Sequence, residues 1–316
     1  MERKKVVVLI GPTAVGKTKL SVDLALKLNG EIISGDSMQI YRGLDIGTAK
    51  IQREEMKGIP HYLVDIKDPD ENYSVAEFQQ SARQLIDSID QHQKVPIIVG
   101  GTGLYIQSVL FDYQFSEAPS DPLIRTKLEE ELITLGAKEM HNQLQRVDPK
   151  SSENIHANNK RRVIRALEIY QITGKTMSDY LQNQKRELLY DVVLIGLTMD
   201  RELLYERIEL RVDQMVEQGL IEEVKNLYNK GIRNTQSIQA IGYKEIYEYI
   251  EGKTTLDDAI IQLKQNSRRY AKRQLTWFRN KMDVKWFDMT TPLQYEERVD
   301  EILSYIAGKL EFKANK

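Results

Sequence analysis

VVVLIGPTAVGKT, residues 6–18, is an apolar run followed at once by a complete G-x-x-x-x-G-K-[ST] loop. Val6 to Ile10 reads as a strand. Leu20, Leu24 and Leu28 recur at i, i+4 and i+8, so a helix with one buried face follows the loop. A strand before and a helix after are the setting in which such a loop cradles phosphate. The segment Gly11, Pro12, Thr13, Ala14, Val15, Gly16, Lys17 and Thr18 lets backbone N–H groups converge on phosphate oxygens, and the helix N-terminus adds a favourable dipole. Lys17 is expected to neutralise the phosphates and the Thr18 hydroxyl to hold Mg²⁺. The loop specifies a phosphorylated ligand, not whether a phosphoryl group is transferred.

Outward from this segment, apolar runs alternate with amphipathic stretches. Glu31 to Ser34, Tyr62 to Ile66 and Val95 to Val99 read as further strands, with a long helix from Ser74 to Gln91. Such alternation predicts an α/β core of the P-loop NTPase-like kind, built on a parallel sheet. From about residue 116 the strand signals stop, SEAPSDP marks a breaker-rich start, and helical periodicity runs to about 188. YDVVLIGL, ending at Leu197, then restores a strand apolar on both faces. The expected organisation is a discontinuous core, residues 1–115 and 190–316, interrupted by a helical insertion over 116–189. The C-terminal region is helical over roughly 201–218, 220–229, 243–250 and 256–281, followed by a short VKWFD segment and a last helix near 292–310.

Composition excludes several classes. The 316 residues contain no cysteine, which removes disulfides, thiolate metal sites and a cysteine nucleophile, and fits a reducing compartment. His61, His92, His141 and His156 are far apart and lack metal-ligand spacing. Lys plus Arg at 45 against Asp plus Glu at 47 gives a net charge of -2, so any polyanion site must be local. No apolar run is long enough to span a bilayer, and MERKKVVVLIGPT passes from charge straight into a strand without a cleavage site. A cytoplasmic protein without membrane attachment is expected, acting as a monomer.

Four further segments carry chemistry. Gly35-Asp36-Ser37-Met38-Gln39 follows the second strand, and ligands bind at the carboxyl edge of parallel sheets. Asp36 is the best candidate base, with turn capping or Mg²⁺ ligation as its alternatives. Asp65 competes for the metal-associated role. Gly100-Gly101-Thr102-Gly103 makes a tight turn after another strand, either a plain connector or a loop that brings backbone and the Thr102 hydroxyl to the ligand. Lys264, Arg268, Arg269, Lys272, Arg273, Arg279 and Lys281 form a cationic run without an acid between Ala259 and Met282. Ala271, Leu275, Phe278 and Met282 are the expected buried stripe of that helix. A second cluster, Lys160, Arg161, Arg162 and Arg165, lies in the insertion, so an extended polyanion such as RNA is expected to be held from two parts of the chain.

These residues resemble the tRNA dimethylallyltransferases, also called tRNA isopentenyltransferases. GPTAVGKT at 11–18, DSMQIYRGLDIGTAK at 36–50, VGGTGLY at 99–105, VDP with NNKRRVIRALEIY at 158–170, IGYKE at 241–245 and AKRQLTWFR at 271–279 stand in the family's order over nearly the whole chain. The long DIGTAK and KRQLTWFR signatures are specific to it; the phosphate loop is not. Val15 stands where Ser is common, and His156-Ala157-Asn158 replaces the usual HPN ahead of the helix that faces tRNA.

The resemblance implies transfer of a dimethylallyl group from dimethylallyl diphosphate to N6 of the adenosine just 3′ of the anticodon, position 37, in tRNAs reading codons that begin with U. Pyrophosphate would leave, stabilised by Lys17, Thr18 and Mg²⁺. It implies Asp36 as the base, Thr102 on the bridging oxygen and Arg211 as a second diphosphate clamp. It further implies base reading by Ser37 and Gln39, with Met38 between them also touching the tRNA. Contact with the tRNA anticodon stem-loop is implied for Arg125, Arg161, Arg162, Arg165, Gly242, Tyr243, Arg273, Gln274 and Trp277, with Asp36 and Thr102 touching the same RNA. Two other enzymes share the loop: an isopentenyltransferase acting on free adenine nucleotides, and a Mg-ATP-dependent small-molecule or nucleotide kinase. Neither needs the basic C-terminal helix. A non-enzymatic RNA-binding protein would not need three ligand loops.

Overall fold

A computed structural model describes residues 3–112, 121–182, 187–290 and 294–310. Two compact units emerge, Met1–Leu110 with Leu188–Lys316, and Phe111–Glu187.

The larger unit opens with β1 (Lys5–Ile10), α1 (Lys17–Leu28), β2 (Gly30–Ser34), β3 (His61–Tyr62), α2 (Val75–Gln91), β4 (Val95–Gly100) and α3 (Gly103–Leu110). The smaller unit is all helical among its described residues: α4 (Pro122–Val147), α5 (Pro149–Asn154), α6 (Lys160–Thr173) and α7 (Met177–Gln182). The larger unit resumes with β5 (Asp191–Thr198), α8 (Arg201–Glu217), α9 (Leu220–Asn229), α10 (Tyr243–Ile250), α11 (Leu256–Lys281), β6 (Lys285–Asp288) and α12 (Tyr295–Leu310).

The sheet has six strands in the order β3-β2-β4-β1-β5-β6, and every pairing is parallel. Val6 through Ile10 are fully buried, as expected of a strand with neighbours on both edges and cover on both faces. Ile10 pairs with Gly100 on one side and Gly196 on the other, and Ser34 pairs with Val99. Strands β1, β2 and β4 therefore end level, and the three loops that follow them open at the same edge. Leu20, Leu24 and Ala25 of α1 pack with Leu9, Ile97, Ile195, Leu197, Phe287 and Ile302 in one core.

In the smaller unit Leu128, Met140, Leu144, Ile155, Val163, Ile164 and Leu167 form a separate core. Asp121, Asp148 and Asn159 cap α4, α5 and α6 through side-chain oxygens. Gly136, at φ 79 and ψ 165, breaks α4 into two segments.

Three sequence expectations change. The strand expected over Tyr62 to Ile66 stops at Tyr62, because Leu63 and Asp65 have φ of 61 and 55, left-handed values that end a ladder. The buried stripe of α11 is Ala259, Leu263, Ala271, Gln274 and Phe278, with Leu275 only partly covered and Met282 beyond the last turn. Lys264 and Arg268 do not join a free cationic face: Lys264 pairs with Asp213 at 2.6 Å and Arg268 with Glu209, both on α8. The breaker-rich start of the insertion lies outside the described residues up to Ser120, as do the boundary near 116 and the expected helix start near 292.

Candidate active site

The phosphate loop leaves β1 and enters α1 through Gly16, whose φ of 102 suits glycine, and through Ala14, which takes a left-handed φ of 65. Val15 is buried at 1% exposure in the core beneath the loop, so an apolar side chain fits this position. Lys17 Nζ donates to the carbonyls of Gly11 at 2.9 Å and Pro12 at 2.6 Å. Its pKa is lowered to about 7, mainly by burial and also by the nearby positive charge of Arg211, while Asp36 acts in the opposite sense. Arg211 on α8 is pushed down by burial, against the fields of Asp36 and Glu55. It makes no hydrogen bond or salt bridge among the described residues. Two half-buried cations that repel each other and lack a full counter-charge are the electrostatic signature of an anion site.

Asp36 lies where β2 ends. Its Oδ1 accepts the amides of Met38 at 2.8 Å and Gln39 at 3.3 Å, so one carboxylate oxygen holds the turn. The capping alternative is therefore realised alongside the field that Asp36 exerts on Lys17, Arg211 and Tyr270. Gly35 and Gly100 bring this turn against the GGTG loop: a Cβ on Gly100 would lie 2.4 Å from the Gly35 carbonyl oxygen. The Ser37 amide donates to the Thr102 hydroxyl at 3.4 Å, and the two hydroxyls are 3.5 Å apart. The structure thus brings Lys17, Asp36, Ser37, Thr102 and Arg211 to one edge of the sheet.

Gln39 is tied inward. Its Nε2 donates to the Thr48 carbonyl at 3.2 Å and its Oε1 accepts from Ser34 at 3.3 Å. Asp65 is engaged by lysine: it and Asp45 both pair with the buried Lys50, at 2.5 and 2.6 Å, so its carboxylate serves there as a counter-ion. Among the described residues no group of three or more His, Cys, Asp or Glu could hold a metal. The exposed Thr18 hydroxyl at the start of α1 is the donor the loop offers. A site this sparse in protein ligands suits Mg²⁺, which keeps waters and takes substrate phosphate oxygens.

Two of the expected RNA contacts are corrected. Tyr243 is fully buried, and its hydroxyl donates to Glu223 Oε1 at 2.5 Å. The same carboxylate accepts the amides of Asp45 at 3.0 Å, Ile46 at 2.8 Å and Gly47 at 3.1 Å. Gly242 is likewise buried and starts α10 with φ 101, its amide donating to Glu245. Tyr243 holds the DIGTAK segment from within through Glu223, and both it and Gly242 are buried, so neither presents a surface to RNA. Gln274, also assigned to RNA, is only 6% exposed and bridges two loops. Trp277 packs on Gly103, where a Cβ would come within 2.2 Å of its ring.

Of the cations on α11, Arg269, Lys272, Arg273, Arg279 and Lys281 are exposed. In the smaller unit Arg161 and Arg162 are exposed in the first turn of α6 and make no ion pair among the described residues. Arg165 and Arg125 instead pair with Glu168, at 2.8 and 3.7 Å, and that carboxylate is fully buried. Cations in a first turn oppose the helix dipole, an unfavourable placement that a bound phosphate reverses.

The sequence reading missed Tyr270, whose hydroxyl interacts with the Thr102 and Gln274 side chains and whose pKa rises to about 12, mainly through burial and the field of Asp36. Its position four residues before Gln274 on one helix face was the available signal. Glu223 gave none. A cavity of about 510 Å³ lined by Arg42, Asp45, Gly219, Glu223 and Lys230 lies apart from these site residues.

A six-stranded parallel sheet with a G-x-x-x-x-G-K-T loop, a carboxylate and a hydroxyl at one edge, packed against a cationic helix, defines an α/β protein. The family model described as IPP transferase matches residues 39–281. The chain is 65% identical over 315 residues to the tRNA dimethylallyltransferase of Bacillus anthracis, covering 100% of this chain and 99% of that one. The full-length tRNA isopentenylpyrophosphate transferase of Bacillus halodurans superposes with a TM-score of 0.75 at 55% identity, covering 98% of this chain and 97% of that chain. A eukaryotic dimethylallyltransferase acting on tRNA gives a TM-score of 0.84 at 34% identity, covering 98% of this chain and 79% of that chain. The chain belongs to the IPP transferase family.

Proposed function

We propose that this chain transfers the dimethylallyl group of dimethylallyl diphosphate to N6 of the adenosine just 3′ of the anticodon, in tRNAs reading codons that begin with U. The convergence of Lys17, Arg211, Asp36 and Thr102 at one sheet edge, against the cationic α11, is the observation that carries this reading. The phosphate-loop amides, Lys17 and Arg211 hold the diphosphate. N6 attacks the first carbon of the dimethylallyl group as the bond from that carbon to the bridging oxygen breaks, and pyrophosphate departs with the electron pair. The N6 proton passes to Asp36. Thr102 donates to the bridging oxygen, a bond that strengthens as charge develops there. Mg²⁺, held by Thr18, would supply further neutralisation of the leaving group.

A stacked adenine cannot reach a carbon held at a sheet edge, so the nucleotide is extruded at a cost of about a few kcal/mol. Phosphate contacts from the exposed cations of α11 and of α6 offset that cost. Arg269, Lys272, Arg273, Arg161 and Arg162 are the residues we assign to it. We place the reaction in the cytoplasm, a reducing compartment that a chain without cysteine fits, with one chain per RNA. No helix among the described residues is long and apolar enough to cross a membrane.

The test is mass analysis of nucleosides from unmodified tRNA incubated with protein, Mg²⁺ and dimethylallyl diphosphate. Prenylated adenosine with stoichiometric pyrophosphate is expected. ADP formation from ATP with a small acceptor would support a kinase, and equal activity on AMP a free-nucleotide enzyme.

A further inference from the structure

Gln274 lies between Arg273 and Leu275 on a helix whose solvent faces are cationic, yet its side chain points inward. Its carboxamide oxygen accepts the amide of Thr13 at 3.1 Å, and its nitrogen donates to the carbonyl of Gly101 at 3.0 Å. Thr13 belongs to the phosphate loop, and Gly101 immediately precedes Thr102. The fit is close: a Cβ on Gly101 would stand 1.9 Å from Gln274 Nε2, so only glycine lets the amide reach that carbonyl. Trp277, one turn further along the same face, fills the space over Gly103.

We infer that Gln274 is a positioning residue for group transfer, its single carboxamide fixing the phosphate loop and the Thr102 loop relative to each other and to α11. This rests on the prenyl-transfer reading. Lys17 and Thr102 must meet one diphosphate, and a misplacement of about 1 Å can cost ~10²-fold in rate. The two loops come from different strands, and this side chain hydrogen-bonds to both. At neutral pH an amide is also the only side-chain chemistry of this shape that offers both a donor and an acceptor. Glutamate would turn an acceptor toward the Gly101 carbonyl, and leucine would leave a part-buried amide and a buried carbonyl without this partner.

The test uses the full chain carrying Gln274→Glu or Gln274→Leu, with tRNA affinity, pyrophosphate affinity without RNA, and the single-turnover rate at saturation measured separately. The expected result is a single-turnover rate lower by about 10- to 100-fold and tRNA affinity within about twofold of the parent. Pyrophosphate affinity should weaken in both variants. The deficit of Gln274→Glu relative to the parent should shrink as pH falls, because a protonated carboxyl can donate to the Gly101 carbonyl, whereas that of Gln274→Leu should not. If Gln274→Leu does not fold, this pH dependence of the isosteric variant decides. A weakened tRNA affinity with an unchanged rate at saturation overturns the proposal and makes Gln274 an RNA contact. Unchanged values throughout overturn it as well. If the parent itself prenylates no RNA, the transfer reading fails, and the pyrophosphate affinities still report whether the clasp shapes the phosphate loop.

Discussion

At the level of single residues, Lys17 is held close to the point of losing its proton, with a pKa of about 7 set by burial and by Arg211. A bound diphosphate favours the charged form, so the pKa must rise on binding. Above pH 7 the free protein is increasingly neutral at Lys17 and the complex is charged, so binding takes up a proton and affinity falls as pH rises through 7. At about pH 8, above the second phosphate ionisation near 6, calorimetric titration with a diphosphate ester in buffers of different ionisation heat should report this uptake. Lys17→Met should abolish it, and equal proton counts in the two proteins would remove Lys17 from the anion site. For Asp36, replacement by Asn keeps an oxygen for the amides of Met38 and Gln39 but removes the base. The turnover number should drop by about 10²- to 10⁴-fold with tRNA affinity little changed. Near-normal turnover would take Asp36 out of the mechanism.

Among the elements, the DIGTAK segment is shaped by an acid from a distant helix. Glu223 on α9 accepts three successive amides and the Tyr243 hydroxyl, so a concavity of N–H groups that could bind an anion is filled from within. Tyr243→Phe removes one charge-assisted hydrogen bond and should cost about 1.5–3 kcal/mol of stability, measured by urea unfolding, with tRNA affinity unaltered. A loss of tRNA affinity at unchanged stability would return Tyr243 to the RNA surface. The same case shows what the sequence could and could not reveal. The phosphate loop, β1, α1, α2 and the length of α11 were readable because periodicity and glycine spacing are local. The clasp was not, because Glu223 and Asp45 are joined only by folding. Tyr243 and Gly242 stood in a segment that resembles RNA-contacting ones, and burial, which no local pattern reports, reassigned them. Gln274 escaped for the same reason: in a cationic run a lone amide reads as surface until the loops beneath it are located.

Across the molecule, each unit carries its own set of exposed cations on a chain whose net charge is only -2. Removing Arg161 with Arg162, or Lys272 with Arg273, should weaken tRNA binding and lower the slope of log affinity against log salt by about 0.7–0.9 per lost phosphate contact. The Michaelis constant for dimethylallyl diphosphate should stay near that of the parent. A salt slope untouched by combining both pairs would eliminate these clusters as the RNA grip. Removing Arg165 should behave differently, since it leaves the buried Glu168 with a weaker counter-charge and so lowers stability as well. The strand at YDVVLIGL was legible in the sequence, whereas the order of strands was not, because nothing in the pattern of one strand names its neighbour.

That strand order has a consequence for how the chain is made. β1 emerges first from the ribosome and finds β4 within the first hundred residues, but its other edge waits for β5, which begins at Asp191. At roughly 5–20 residues per second of synthesis, the nascent sheet spends on the order of 10 s with the apolar run Val6 to Ile10 unpaired along one side. The intervening helical unit has a hydrophobic core of its own and can complete it during that interval. Chains halted just before Asp191 are therefore expected to aggregate or to be retained by chaperones, and chains halted after Asp288 to remain dispersed, as sedimentation of stalled translation products would show. A dispersed product at the earlier stop would mean that the open edge is protected in some other way during synthesis.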